Sequence, residues 1–397
     1  DVIPLCDEVT DLARGIGAVN TLFWKDSAGD QGNAECSGQA GASGGINPEC
    51  KILVGHNTDY EGFLYAASRA GIDFEGKGVL ILGTGGTSLM ARRAAADQNA
   101  AKIYIASRHP ETDPPSGSEI QDAGILSTVS YDQLPEIADS IDVIVNTTPV
   151  GTFPNNMQQV IRLKDFPGCQ AVIDVIYNPF KTALLLEAEK LGLKYTNGLP
   201  MLVAQATAAA GYFLGTPGAF QKENQRIIKS MQQQMGNIVL IGMPGTGKSI
   251  IGKLLAELTG KTLQDTDAKI EEEAEMTIPE IFEKEGEAGF RDRESAICKK
   301  LGKERNLIIA TGGGAILRPE NVAALRQNGT LVHITRSIDK LPTRGRPLSK
   351  NIEALKKMEA QRMPLYKSAA DITFRNNYTC SRKKLRQRVN TYILEKL

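Results

Sequence analysis

The string Gly242-Met243-Pro244-Gly245-Thr246-Gly247-Lys248-Ser249 narrows the fold of this chain more than any other feature. It fits G-x4-G-K-[ST] at every position. Ahead of it, Ile238-Val239-Leu240-Ile241 is a short apolar run that reads as a strand; behind it, Ser249–Thr259 reads as a helix. Strand, glycine turn and helix in that order aim backbone N–H groups at a phosphate. Gly245, Thr246 and Gly247 then wrap the phosphates. Lys248 reaches the β and γ phosphates as a point charge, and the Ser249 hydroxyl ligates Mg²⁺.

Downstream text supplies partners for such a cradle. Asp265-Thr266-Asp267 follows about one crossover later. On an extended segment, two carboxylates two apart point the same way, one toward a magnesium ion and one toward an attacking hydroxyl. Phe290-Arg291-Asp292-Arg293-Glu294 and Gly312-Gly313-Gly314 come next, the glycines after the strand-like Leu307–Ala310. Three glycines let backbone approach a ligand closely. Arg344-Gly345-Arg346-Pro347-Leu348 places arginines on a Gly/Pro-marked segment, as a phosphate-covering lid needs, though it is short for one. Arg362 precedes Met363-Pro364-Leu365-Tyr366.

The first half repeats the strand–turn–helix theme. Val79–Leu82, Ile103–Ala106, Val143–Asn146 and Ala171–Val175 read as strands and Leu89–Asn99 as a helix. Such alternation implies a parallel α/β sheet with crossover helices. Gly83-Thr84-Gly85-Gly86-Thr87-Ser88 follows the first strand. It departs from G-x-G-x-x-G only at Ser88, where a small residue still packs. The next strand ends in Ser107-Arg108 rather than an acid, which suits the 2′-phosphate of NADP. Gly17–Thr21, Gly55–Asp59 and Asn146–Gly151 end apolar runs in polar groups, at the strand ends where α/β sheets bind ligands or simply turn.

At 397 residues the chain holds two or three domains. The pattern restarts at Asn237, and Thr216–Gly236 carries Pro217, Gly218 and a polar run, Gln221–Gln234, that reads as a linker helix. The expected division is 1–218, a linker over 219–236, and 237–397. Within the first part, 1–75 form a partial substrate lobe, 76–200 the dinucleotide domain and 201–218 a returning helix. The Gly/Ala/Ser-rich Asp26–Pro48 reads as a long hairpin loop. Lys and Arg number 46, Asp and Glu 46, which argues against a dedicated nucleic-acid binder; the basic run Arg382–Arg388 reads as a solvated helix face. The apolar stretch Met201–Gly215 is too short for a membrane span and carries Gln205 and Thr207. Six scattered cysteines without Cys-x-x-Cys, and no visible signal peptide, point to reduced thiols and a cytoplasmic protein. Three distant histidines make a His metal cluster or a Ser-His-Asp triad a poor reading.

Taken in order, GMPGTGKS, DTD, FRDRE, GGG, RPL and R-x3-Y resemble shikimate kinase over residues 237–375. The resemblance implies ATP-dependent phosphorylation of the 3-hydroxyl of shikimate. It implies that Asp267 binds the hydroxyls and acts as base, and that Arg291 and Arg362 clamp the carboxylate. Gly312, Gly313 and Gly314 would line the pocket, Arg346 would reach the transferred phosphate, and Asp265 would lie near magnesium. Bidentate arginines suit a carboxylate on chemical grounds as well. A related P-loop sugar-acid kinase is the competing reading.

Over residues 1–218, GAVNT, NTDYEGF, GTGGT, NTTPVG, DVIYNPFKTALL and NGLPMLVAQ resemble shikimate dehydrogenase in family order. This implies reversible reduction of 3-dehydroshikimate by NADPH without a metal. Asn20, Asp59 and Gln205 would hold the substrate, with Tyr177 nearby. Gly83, Gly85, Gly86, Thr87, Ser107 and Arg108 would hold NADP. The family's catalytic pair is a Lys and an Asp; Asp59 matches the Asp, while the string bearing the Lys belongs ahead of Val2-Ile3-Pro4. The expectation is therefore a poor dehydrogenase in this polypeptide, with a non-catalytic NADP or shikimate-binding module as the alternative. The whole reads as a fusion of two consecutive steps.

Overall fold

The computed structural model describes residues 2–26, 51–111, 124–341, 352–377 and 381–397. The chain divides into two compact units: one of Asp1–Val150, Gln159–Phe180 and Leu184–Ile228, the other of Gly151–Gln158, Lys181–Ala183 and Lys229–Leu397. The division falls inside a helix, Asn224–Met235, so the polar stretch expected as a connector is ordered. Its first residue, Asn224, is buried and its Oδ1 accepts from Thr207 Oγ1 at 2.6 Å.

The first unit holds two sheets. Strands β1 (Glu8–Val9), β2 (Thr21–Asp26) and β3 (Lys51–His56) form a small mixed sheet in the order β1-β3-β2. Strands β4 (Gly78–Leu82), β5 (Lys102–Ser107), β6 (Leu126–Ser130), β7 (Val143–Asn146), β8 (Ala171–Asp174) and β9 (Lys194–Thr196) form a six-stranded parallel sheet. Its order, β6-β5-β4-β7-β8-β9, is the doubly wound arrangement whose switch point lies at the carboxyl ends of β4 and β7. β6 and β9 were not legible as strands, because Leu126–Ser130 and Lys194–Thr196 are edge segments only partly apolar.

The second unit is a five-stranded parallel sheet of β10 (Asn237–Ile241), β11 (Thr262–Asp265), β12 (Leu307–Ala310), β13 (Gly329–Thr335) and β14 (Ile372–Arg375). Its order is β11-β12-β10-β13-β14, so β10 is central and the turn after it opens at the carboxyl edge of the sheet.

Both central strands show why a continuous apolar run becomes a parallel strand. In β10, Val239 and Ile241 pack into one core and Ile238 and Leu240 into the core on the opposite face. In β4, Val79 and Ile81 face one layer, Leu80 and Leu82 the other. Side chains alternate by two, so only a strand covered on both faces buries every residue of such a run. Each such side chain contributes about 1.5–3 kcal/mol of transfer free energy. That burial holds the glycine turns beyond the strands in place. Among the described residues, no helix is long and apolar enough to cross a membrane.

Candidate functional site

In the second unit, Gly242, Gly245 and Gly247 adopt φ of 143°, 85° and 97°, a region that L side chains avoid. Gly242 lies so close to the Ile334 carbonyl that a Cβ would collide with it. Asn376, just after β14, donates its side-chain amide to Thr246 O at 2.8 Å and crowds Gly247. The helix Lys248–Thr259 begins at the next residue. Lys248 is buried and folds back, donating Nζ to Gly242 O at 2.8 Å and Met243 O at 3.2 Å. The loop therefore holds the ammonium against its own carbonyls.

Asp265 and Asp267 do not share an extended face. Asp265 ends β11 and caps the helix Thr266–Ala274, its Oδ1 accepting from Asp267 N at 3.1 Å. Capping starts the helix at Thr266, inside the segment read as extended, because the carboxylate satisfies a free N–H of the first turn. The two acids thereby take separate positions. Asp265 Oδ2 accepts from Ser249 Oγ at 3.1 Å, placing a hydroxyl and a carboxylate together beside the cradle. Asp267 instead points to Gly312, where its buried Oδ1 has no hydrogen-bond partner. Burial, with Asp265 and Glu294 nearby, pushes its carboxyl up to about 6.

Arg291 and Glu294 sit one turn apart on the helical segment Ile278–Lys303, past a kink at Gly286 (φ 69°), with Arg291 Nη1 donating to Glu294 Oε2 at 2.7 Å and Nη2 to Glu287 Oε1 at 3.1 Å. Glu294 is fully buried, and burial holds its carboxyl above the usual range against the pull of Arg291. The three glycines fit between these groups. A Cβ at Gly312 would lie 2.6 Å from Asp267 Oδ1 and 2.7 Å from Glu294 Oε1, and one at Gly314 would collide with the Arg291 guanidinium. Gly313 O receives both Arg362 Nη1 at 2.8 Å and the Tyr366 hydroxyl at 2.6 Å, and Gly312 N donates to buried Thr266 Oγ1 at 2.8 Å. Beneath lies His333, stacked on Tyr366 at 4.9 Å and held down to about 4 by burial and by Lys248.

One cavity of about 690 Å³ joins these parts. Pro244, Gly245, Gly247, Lys248 and Ser249 of the turn line it, together with Asp265, Asp267, Arg291, Gly312, Gly313, Gly314 and Arg362. Glu294, quoted within its string but given no role, lines it too, as does Arg336, which sequence reasoning missed. Arg336 follows an ordinary strand and belongs to no glycine-marked string, so nothing in the sequence flagged it. Arg344 and Arg346 lie outside the described residues, as does most of the Asp26–Pro48 loop. Among the described residues, no group of three or more His, Cys, Asp or Glu is placed to hold a metal unaided. Ser249 and Asp265 offer two hard oxygen donors, which suits an ion that takes its remaining ligands from phosphate and water.

In the first unit, Asn57 caps the helix Thr58–Arg69 and sets Asp59 in its first turn. Buried Thr58 is the hub: its N donates to Asn20 Oδ1 at 2.8 Å, its Oγ1 lies 2.9 Å from Thr21 Oγ1, and it reaches Gln205 Oε1 at 3.5 Å. Gln205 comes from the apolar helix Leu199–Phe213, which approaches closely because Gly62 has no side chain. Burial raises the Asp59 carboxyl, opposed by a hydrogen bond from Asn20. Asn20, Asp59 and Gln205 are thus gathered around one threonine. Tyr177, past the end of β8, is 41% exposed.

The dinucleotide turn follows β4. Gly83 has φ 103° and faces Thr147 and Thr148 after β7, while Gly85 caps the helix Gly86–Asp97 and Gly85 and Gly86 open to free space. Thr87 lies in the first turn of that helix, and Ser88 is fully buried with its Oγ accepting from Arg92 Nε at 3.2 Å. Ser107 is buried and accepts from His109 N at 2.9 Å, leaving Arg108 exposed at the end of β5.

The family model for shikimate kinase matches residues 244–397. A shikimate kinase of Nitrosomonas europaea is 48% identical over 145 residues, 34% of this chain and 69% of that protein. One from Thioalkalivibrio sulfidiphilus is 40% identical over 162 residues, 39% of this chain and 85% of that protein. Among solved structures, a chorismate mutase/shikimate 5-dehydrogenase fusion protein from Clostridium acetobutylicum is 28% identical with a TM-score of 0.47, covering 58% of this chain and 73% of that one. Through its second unit, the chain belongs to the shikimate kinase family.

Proposed function

We propose that this chain carries two consecutive activities: NADPH-dependent reduction of 3-dehydroshikimate to shikimate in the first unit, and ATP-dependent phosphorylation of shikimate to shikimate 3-phosphate in the second. The observation that carries the kinase reading is a cavity joining a phosphate cradle to a buried carboxylate and two arginines. One end suits a triphosphate, the other a small carboxylate bearing hydroxyls.

In the kinase, the amides of Gly245, Thr246 and Gly247 and the Lys248 ammonium hold the triphosphate. Arg291 and Arg362 orient the substrate carboxylate, and Gly312–Gly314 let the ring approach. Asp267 Oδ1, buried and without a partner, accepts the proton of the attacking hydroxyl. Arg346 is assigned to the transferred phosphate on the family resemblance. Ser249 and Asp265 would hold Mg²⁺, which neutralises charge on the phosphates when bound.

In the dehydrogenase, Asn20, Asp59 and Gln205 hold the substrate hydroxyls, with Asp59 exchanging a proton at the reacting oxygen and Tyr177 nearby. Gly83, Gly85, Gly86 and Thr87 receive the NADP pyrophosphate and Arg108 its 2′-phosphate, with buried Ser107 shaping the strand end beneath it; the bound cofactor supplies hydride. We assign residues 1–218 and 237–397 to the two activities and place the protein in the cytoplasm.

Two assays on the purified chain test this. With ATP, Mg²⁺ and shikimate, release of ADP that depends on shikimate is expected; its absence overturns the kinase assignment. With shikimate and NADP⁺ and no ATP, growth of NADPH absorbance supports the dehydrogenase. Calorimetric binding of NADP without turnover would instead make the first unit a binding module.

A further inference from the structure

Arg336 lines the kinase cavity, and its buried Nε has no hydrogen-bond partner. The other cations of the cavity already have acceptors in the protein. Arg291 is paired with Glu294 and Glu287, Arg362 donates to Gly313 O, and Lys248 to Gly242 and Met243. These partners also sort the cations by place. Arg291 and Arg362 belong to the end built from Glu294 and the three glycines, whereas Arg336 belongs to the phosphate turn.

The backbone fixes that second placement. β13 pairs with β10 up to Ile241↔His333, so the two strands reach the carboxyl edge together. There Gly242 lies against the Ile334 carbonyl. The residues on either side of Arg336 are then pinned by consecutive asparagines. Asn376 N donates to Thr335 O at 2.7 Å, and Asn377 Oδ1 accepts from Ser337 N at 2.7 Å while its Nδ2 donates to Ser337 Oγ at 2.6 Å. The same Asn376 holds the turn itself through Thr246 O. One short segment thus registers Arg336 to the loop that cradles phosphate.

We propose that Arg336 is a further triphosphate-binding residue of this kinase, its guanidinium donating to nonbridging oxygens of ATP. A planar fork with an unused buried donor suits a phosphate group, and its attachment to the turn keeps its aim constant as substrate enters at the other end. The inference rests on the kinase reading only for its turnover arm.

Arg336→Gln and Arg336→Lys test it against the unaltered chain. Binding of ADP and of a non-hydrolysable ATP analogue is measured by calorimetry, without shikimate. The Gln variant should weaken the ATP analogue about ten- to hundredfold and ADP less. The Lys variant, keeping charge but losing the fork, should fall between. In turnover, KM for ATP or kcat should carry the loss while KM for shikimate stays level. Unchanged nucleotide affinity in a variant of unchanged Tm overturns the proposal, as does a rise confined to KM for shikimate. A chain that binds nucleotide through Arg336 but never phosphorylates shikimate would overturn the kinase reading and leave this one standing.

Discussion

The chain uses the same strand–glycine turn–helix device twice, and the two copies differ in what stands around the glycines. After β4, Gly85 and Gly86 open to free space, and the nearest basic residue assigned to a ligand is Arg108, exposed at the next strand end. After β10, Gly242 and Gly247 are pressed by Ile334 and Asn376, and a buried lysine lies folded into the loop. A turn that only holds a pyrophosphate needs accessible amides. A turn that supports phosphoryl transfer must also bring positive charge to a fixed point in a site of low dielectric, where that charge stabilises the transition state strongly. The second copy has that lysine; the first has buried Ser88 and a helix packed for binding.

Lys248→Ala is the harshest test of this contrast. Removing the ammonium should lower kcat for shikimate phosphorylation by about a thousandfold or more. It should leave NADP affinity in the first unit unchanged. A steady-state assay of ADP release alongside NADP calorimetry checks both. Near-normal turnover would show that the second turn, like the first, merely binds.

The two units also contrast in their buried acids. Asp59 and Asp267 both sit in the first turn of a helix that follows a strand. Burial raises both carboxyls; Asn20 opposes it at Asp59, whereas at Asp267 the charges of Asp265 and Glu294 add to it and push the group up to about 6. If Asp267 acts as base, kcat/KM for shikimate should rise with pH through about 6 and level off above it. Stability should move the other way. The native carboxyl holds its proton more tightly than the unfolded one, so folding stability falls as pH rises from near 3.8 through about 6. Asp267→Asn should therefore abolish the phosphorylation while raising folding stability at pH 7 by on the order of 3 kcal/mol as an upper limit, read as a higher Tm. A variant that is inactive and no more stable would deny that the carboxylate is held under strain.

What was legible in the sequence follows the range of the forces involved. β4 and β10 were plain because a run buried on both faces leaves a continuous apolar string, and the glycine turns were plain because positive φ restricts the residue choice. Most residues lining the kinase cavity lie in the strings that follow those runs. Asp265 and Asp267 were found, but their geometry was not. Whether an acid caps a helix or continues a strand depends on which N–H it meets, and spacing alone does not record that. Thr58 escaped notice because its contact with Gln205 lies 147 positions further along the chain. Arg336 escaped for the same reason: its partner loop is set by sheet register, not by neighbouring letters.

The mildest prediction concerns the exposed end of β5. Ser107 is turned inward, its hydroxyl accepting from His109 N, so the buried serine shapes the strand end and Arg108 alone of the two extends into water. A 2′-phosphate bound there is held by one solvated guanidinium, and a solvated charge contributes far less than a buried one. Arg108→Ala should thus weaken NADP by about tenfold, leave NAD unchanged, and lose much of its effect at high salt. Calorimetric titration of both nucleotides at two ionic strengths reads all three. Equal losses for NADP and NAD would move Arg108 from recognising the phosphate to supporting the strand end, and the preference for NADP would then need another source. The contrast with Lys248 predicts the asymmetry itself: the same positive charge that is indispensable inside the second turn is worth about a factor of ten at the rim of the first.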